Sequence, residues 1–241
     1  MNIKGVANLS LVDWDNEVCA TLFLGGCNFR CGWCQNSSLV VDEQQINSIP
    51  IADILQHIEG LGSYITGICI TGGEPTLHNI EPLCRDIKNL GLKVKLDTNG
   101  SHGEVAEKLL SDNLVDYLAL DIKAPLTVKD YSKTTSTQIS IDTLSTIMHL
   151  VDFLLNNKYD YEFRTTVVPT LHNKRSIEQI CKYGITGARK YVIQNFWNCG
   201  NLIDPDLYKV KLFPQKKLVE FSKIAEQYVE EVKIRNFNQN L

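Results

Sequence analysis

Short apolar runs recur along the chain, and each is followed by a segment whose apolar residues are spaced as on one face of a helix. The first strong run, Cys19-Ala20-Thr21-Leu22-Phe23-Leu24, ends at Gly25-Gly26 and reads as a buried strand. Ile51, Ile54, Leu55 and Ile58 then carry helical spacing as far as Leu61, with Gly60 and Gly62 as stops. The alternation continues with strands expected at 65–70, 92–96, 117–123, 163–169 and 191–196, and with helices at 80–90, 105–110, 144–155 and 176–183. A helix over 215–230 and a short strand at 232–234 complete it. Ahead of it, residues 8–13 are either a short strand or a lead-in. Strands alternating with helices predict a parallel sheet with right-handed crossovers. The expected fold is α/β, a partial, open β/α barrel of about six parallel strands, with an open doubly wound sheet as the alternative.

Composition narrows the setting. The 241 residues are 44% apolar and 22% charged, ordinary for a globular chain with a substantial core. No low-complexity tract or Pro/Gly/Ser-rich linker divides them, so one domain over 1–241 is expected, with its core at about 18–200 and a helix and strand in 201–241. A net charge of -4 argues against a nucleic-acid partner, and pairs such as Lys93/Lys95 and Lys216/Lys217 read as solvated faces. Neither a signal-peptide run nor a membrane-spanning stretch is visible, so a cytoplasmic protein with no membrane partner is expected, its eight cysteines reduced. Cys19, Cys69, Cys84, Cys181 and Cys199 stand singly and read as small buried hydrophobes.

Three cysteines do not stand singly. Cys27-Asn28-Phe29-Arg30-Cys31-Gly32-Trp33-Cys34 is a C-x3-C-x2-C cluster on the loop after the first strong strand. Three thiolates can face one soft metal centre and leave one coordination position open, as catalytic metal sites do. The spacing also suits a zinc knuckle completed by a distant Cys or His. Other unusual residues also follow predicted strands: Gly72-Gly73-Glu74-Pro75 the second, Asp97-Thr98-Asn99-Gly100 the third, Asp121 and Lys123 at the end of the fourth, and 195–200 the sixth. In a β/α barrel these positions share the C-terminal face, where active sites of that fold lie. Gly72-Gly73 permits close approach to a ligand, and Glu74 suits a ligand ammonium, though the run also reads as a tight turn. Asp121 and Lys123 point to the same side of a strand and form either a polar binding pair or a structural ion pair. Arg164 either clamps a ligand or bridges to Glu162. His102 and His172 fall near strand ends, where a solvated loop position is the simpler reading.

With these residues in place the chain resembles the radical S-adenosylmethionine (SAM) superfamily. The resemblance rests on Cys27-x3-Cys31-x2-Cys34 with Trp33 before the last Cys, Gly72-Gly73-Glu74-Pro75, Asp97-Thr98-Asn99-Gly100 and Asp121-Ile122-Lys123. Within that superfamily it is similar to activating enzymes for glycyl-radical enzymes, especially that of the anaerobic ribonucleoside-triphosphate reductase. Ser10–Asp13, Gly25–Cys31 and Tyr191-Val192-Ile193-Gln194 carry this finer likeness. The resemblance implies a [4Fe–4S] cluster on Cys27, Cys31 and Cys34, its remaining iron chelated by SAM. It implies that Glu74 and the backbone at Gly72-Gly73 hold the SAM ammonium and that Lys123 takes the carboxylate. Thr98 and Asn99 would line the methionyl or ribose side, and Trp33 would pack near the adenine. Residues like Asp97, Thr98 and Asp121 hold an alkali cation beside SAM in related activating enzymes. The implied reaction is one-electron reductive cleavage of SAM, followed by hydrogen abstraction from a partner glycine, with flavodoxin or ferredoxin as electron donor.

Gln35-Asn36 stands where many relatives have His-Asn, and 195–199 also departs from the family pattern, which leaves the partner open. Two other readings therefore stay in view. One is a radical SAM enzyme acting on a small molecule, nucleoside or peptide. The other is a non-catalytic iron–sulfur or zinc protein for binding or electron transfer. Glu74 and Lys123 speak against the second, because a purely structural metal has no use for an amino-acid-binding pair.

Overall fold

The computed structural model describes residues 1–236; the last five residues of the expected C-terminal segment, 237–241, lie outside the described residues. In chain order the elements are β1 (Ile3–Ser10), β2 (Cys19–Leu24), α1 (Ser37–Val41), α2 (Ile51–Leu61), β3 (Gly67–Gly72), α3 (Glu81–Asn89), β4 (Lys93–Thr98) and α4 (Gly103–Ser111). They continue with β5 (Tyr117–Asp121), α5 (Val128–Thr135), α6 (Ile141–Asn156), β6 (Tyr161–Val167), α7 (Lys174–Tyr183), β7 (Lys190–Asn195), α8 (Gln215–Ala225) and β8 (Glu231–Arg235). The fold is α/β with a mostly parallel sheet, as the alternation predicts. Among the described residues no helix is long and apolar enough to cross a membrane.

The chain forms two compact units, one of 1–28, 38–98 and 102–119, the other of 29–37, 99–101 and the residues from Leu120 onward. In the first unit, strands neighbour one another in chain order from β1 to the start of β5. β2, β3 and β4 pair in parallel, with Thr21 opposite Cys69 and Cys69 opposite Lys95. Every residue of β2 is buried except Phe23, which is half-buried, and Gly67–Ile70 of β3 are buried too. Burial on both faces is what a parallel strand covered by crossover helices requires. Leu83, Cys84 and Ile87 form the buried stripe of α3. The chain's opening differs from the expectation: its strand is 3–10 rather than 8–13, and it pairs with β2 antiparallel.

In the second unit the end of β5, β6, β7 and β8 follow one another in chain order, and β6, β7 and β8 pair in parallel. Thr127 caps α5, and Asn173 and Ser176 form a reciprocal capping box at the start of α7. Helix α5 had no counterpart in the apolar pattern, because Val128–Thr135 carries one large buried apolar side chain, Tyr131. Cys19, Cys69, Cys84 and Cys181 are buried as expected, whereas Cys199 is exposed.

The last strand is held by charge. Glu162 on β6 is 1% exposed and accepts both Nη1 and Nη2 of Arg235 on β8, at 2.8 and 3.0 Å, while Lys190 Nζ on β7 lies 3.2 Å away. A bidentate guanidinium–carboxylate pair is among the stronger polar contacts, and removing one partner leaves buried charge uncompensated. Glu162→Ala is therefore expected to lower unfolding stability by about 3 kcal/mol, read from the urea midpoint.

Candidate functional site

In the first unit the cysteine loop begins at a knot of backbone contacts. The Gly25 amide donates to Asn2 carbonyl at 2.8 Å and the Gly26 amide to Leu39 carbonyl at 2.7 Å. From the β3 side, the Gly73 amide donates to Leu24 carbonyl at 2.8 Å and the Glu74 amide to Gly26 carbonyl at 2.7 Å. His78 Nε2 lies 2.8 Å from Gly25 carbonyl. This packing needs glycine. A Cβ on Gly73 would lie 1.8 Å from Gly26 carbonyl oxygen, and one on Gly72, whose φ is +117°, would lie 2.4 Å from the Leu24 amide and carbonyl. From sequence, Gly72-Gly73 suits either ligand approach or a tight turn; the backbone at the end of β2 by itself demands glycine at both positions. Gly26 thus holds Glu74 by a hydrogen bond and Cys27 by a peptide bond.

Glu74 is 1% exposed. Its Oε1 accepts from Thr76 amide at 3.1 Å, Thr76 Oγ1 at 2.6 Å and Thr98 Oγ1 at 2.7 Å, so the carboxylate is fixed in orientation and capped on the turn at Pro75–Leu77. The structure thereby brings two expected site residues, Glu74 and Thr98, into direct contact. Beside them on β4, Lys95 overturns its reading as a solvated residue. It is 0% exposed, and its Nζ donates to Asp97 Oδ1 at 2.7 Å and to Asp13 carbonyl at 2.6 Å. A buried ammonium persists only when paired and hydrogen-bonded, which these two oxygens accomplish. The signal was present in the sequence: Lys95 and Asp97 are two apart on a strand and share a face.

In the second unit Cys31 and Cys34 are joined by a turn, with the Cys34 amide donating to Cys31 carbonyl at 3.0 Å. The turn is anchored by the Arg30 amide on Thr135 carbonyl at 3.0 Å and by the Asp204 amide on Gly32 carbonyl at 2.9 Å. Burial raises the Cys34 thiol above its ordinary pKa, opposed by a hydrogen bond from the Asn36 backbone. Trp33 is 8% exposed, and its ring centroid lies 5.1 Å from Lys123 Nζ. Its Nε1 is buried without a hydrogen-bond partner. Such an orphan donor calls for an acceptor, and a polar ligand would supply one. Asn99 Oδ1 accepts from the Ser101 amide at 2.9 Å, which shapes the turn it occupies.

Asp121 and Lys123 meet as the strand spacing predicts, with Lys123 Nζ 2.7 Å from Asp121 Oδ2, although Lys123 lies just beyond the end of β5. Arg164 takes the other oxygen, its Nε 2.8 Å from Asp121 Oδ1, and reaches Glu162 only at 4.0 Å. Its main ion pair is therefore with Asp121. Burial alone would raise the Asp121 pKa, but Arg164 and Lys123 outweigh it and hold the carboxyl at about 2. His172 is not a solvated loop residue. It is buried, its Nδ1 accepts the Val168 amide at 3.0 Å, and its Nε2 then carries the proton given to Lys123 carbonyl at 2.9 Å. Burial lowers its pKa and keeps the ring neutral. Tyr131 Oη accepts the Lys123 amide at 3.2 Å. Thus Lys123 is pinned through its backbone as well as its ammonium.

Among the described residues, no group of three or more His, Cys, Asp or Glu side chains is gathered as a metal site. The fit of a cluster here rests on donor chemistry: three soft thiol donors within eight residues, the type that iron–sulfur centres take. The orphaned Trp33 Nε1 under Lys123 is the matching observation for a polar ligand.

The Asp121 charge can be tested by acid. Its folded pKa is depressed, so the stability it contributes is present above its ordinary value of 3.8 and is lost as pH falls toward about 2. The stability difference between the wild type and Arg164→Gln is expected to be constant above that range and to shrink below it, in urea unfolding measured across pH.

Residues 21–202 match the model of the Radical SAM superfamily. A protein of Methanocaldococcus jannaschii provisionally named a glycyl-radical enzyme activating enzyme is 32% identical over 239 residues, spanning 98% of this chain and 96% of its own. A 7-carboxy-7-deazaguanine synthase of Synechocystis is 33% identical over 79 residues, 33% of this chain and 36% of that protein. The solved structure of TYW1 with a lysine-pyruvate adduct bound aligns with a TM-score of 0.61 at 15% identity, covering 87% of this chain and 73% of that one. Native anSMEcpe with bound AdoMet aligns at 0.57 and 19% identity, covering 88% and 62%. These two likenesses bear on the fold, which is that of the radical SAM partial barrels. The family match spans most of the chain, from within β2 to beyond β7, and this chain belongs to the radical SAM superfamily, whose membership implies a [4Fe–4S] cluster and SAM.

Proposed function

We propose that this chain is a glycyl-radical enzyme activating enzyme and that its partner is the catalytic chain of an anaerobic ribonucleoside-triphosphate reductase. The observation that carries the reading is the double use of Gly26: its carbonyl holds the amide of Glu74, and its own peptide bond leads directly into Cys27. A cluster ligand and a carboxylate suited to an amino-acid ammonium hang from one residue. A protein target is supported by the M. jannaschii relative, which is similar along nearly the whole chain, whereas the deazaguanine synthase is similar over one third of it.

In this reading Cys27, Cys31 and Cys34 hold the [4Fe–4S] cluster. When bound, the cluster and SAM supply, after one-electron reduction by a flavodoxin or ferredoxin, the radical that removes a hydrogen atom from a partner glycine. The chain's own residues position and shield. Glu74, oriented by Thr76 and Thr98, receives the SAM ammonium. Lys123, pinned by His172 and Tyr131, takes the SAM carboxylate, and Trp33 offers its unpartnered Nε1 and its ring face near the adenine. Thr98 and Asn99 line the methionyl or ribose side.

The test is anaerobic electron paramagnetic resonance of the reconstituted protein with dithionite, SAM and a reductase catalytic chain. A SAM-dependent glycyl-radical doublet on the reductase is expected. If 5′-deoxyadenosine forms without a doublet, the partner assignment is wrong and the small-molecule reading takes its place. Cys31→Ala is expected to abolish cluster loading and SAM cleavage together; retained cleavage would contradict the ligand set. Lys123→Ala is expected to weaken SAM binding by about tenfold, the loss of one charge-assisted contact, with the cluster in place.

A further inference from the structure

Two carboxylates were expected to help hold an alkali cation, and each is already neutralised by a side chain of this protein. In the first unit, Asp97 Oδ1 accepts Lys95 Nζ at 2.7 Å, and Thr71 Oγ1 lies 3.4 Å from Oδ2. In the second unit, Asp121 gives Oδ1 to Arg164 Nε and Oδ2 to Lys123 Nζ. Thr98, the third expected ligand, directs its hydroxyl proton to Glu74. The residues present therefore do not fit an added monovalent cation. A second positive charge beside Lys95 would meet like-charge repulsion at a largely buried pair, which solvent screens less than it would an exposed one.

The Lys95 pocket has the composition of a cation site with its occupant built in. Hard cations take oxygen ligands, and the Lys95 ammonium touches a carboxylate oxygen and the backbone carbonyl of Asp13. The Asp13 carboxylate is itself held, its Oδ2 accepting Thr21 Oγ1 at 2.6 Å. In register, Lys95 sits opposite Cys69, and Cys69 opposite Thr21, the residue whose hydroxyl holds the Asp13 carboxylate. Lys95 is 0% exposed, while the Asp97 side chain it pairs with is 15% exposed, so a solvent ion that approached Asp97 would meet a carboxylate whose Oδ1 is already taken by the ammonium.

We infer that Lys95 stands in the place of an alkali cation on Asp97, so that SAM binding by this chain requires neither sodium nor potassium. The inference rests on the SAM-site reading above. Lys95 acts through Asp97 and is a positioning residue, fixing the charge and geometry of the turn that carries Thr98 and Asn99.

The experiment uses the anaerobically reconstituted full chain and two readouts. SAM dissociation constants are measured by equilibrium dialysis in potassium, sodium and choline chloride at equal ionic strength. Sodium binding is followed separately by sodium NMR line broadening, with no SAM present. The expected result is a SAM affinity unchanged within about twofold across the three salts and no saturable sodium site, since binding linkage is reciprocal. A loss of about fivefold or more in choline, with saturable sodium binding to the wild type, would overturn the inference. Lys95→Met is expected to convert the chain to a salt-sensitive one, its SAM affinity rising with potassium or sodium; should that variant not fold, the wild-type measurements still decide. Absence of SAM binding in every salt would fail the SAM-site reading, while the sodium signal would still answer whether Asp97 takes an alkali cation.

Discussion

The approach of Gly73 to Gly26, too close for any side chain, is the constraint on which the candidate residues of the first unit depend. Two strand-end loops are pressed together so tightly that their backbones bond directly, with the Gly73 amide on Leu24 and the Glu74 amide on Gly26. One loop continues into Cys27 and the other carries Glu74. Backbone-to-backbone contact has no rotamers to lose, so it fixes position at lower entropic cost than two side chains meeting across a gap. Under the proposed function this construction would keep Cys27 and Glu74 in constant relation.

Within each unit the chain places buried and half-buried charges beside partners of opposite sign. Lys95 lies on Asp97, Asp121 between Arg164 and Lys123, and Glu162 between Arg235 and Lys190. Buried pairs of this kind contribute little net stability relative to apolar packing, because desolvation offsets most of the attraction. Their effect is on geometry and on protonation. Arg164 and Lys123 keep Asp121 ionised well below the usual carboxylate range, and Asp121 in turn holds the Lys123 ammonium. His172, neutral and doubly hydrogen-bonded, extends the same control to the backbone of Lys123.

Much of this was legible in the chain itself. The apolar runs marked β2 through β7 because strands buried on both faces are near-continuous in apolar residues, and their ends located the loops that matter. The meeting of Asp121 and Lys123 followed from strand periodicity, which holds for two residues past the end of β5. Three things were hidden for physical reasons. Helix α5 buries too few apolar side chains to leave a periodic trace. Lys95 carries a charge that reads as solvent-facing until its partner two residues on is noticed. The requirement for Gly72 and Gly73 looks the same in sequence whether the neighbour is a ligand or another backbone, and only coordinates distinguish the two.

That distinction can be measured directly. Gly73→Ala, prepared without cluster and without SAM, should unfold in urea with at least about 2 kcal/mol less stability than the wild type, because the added methyl displaces the backbone at Gly26. Wild-type stability in that cluster-free variant, together with weakened SAM binding once the cluster is loaded, would contradict the account and return the glycine pair to a role in admitting the ligand.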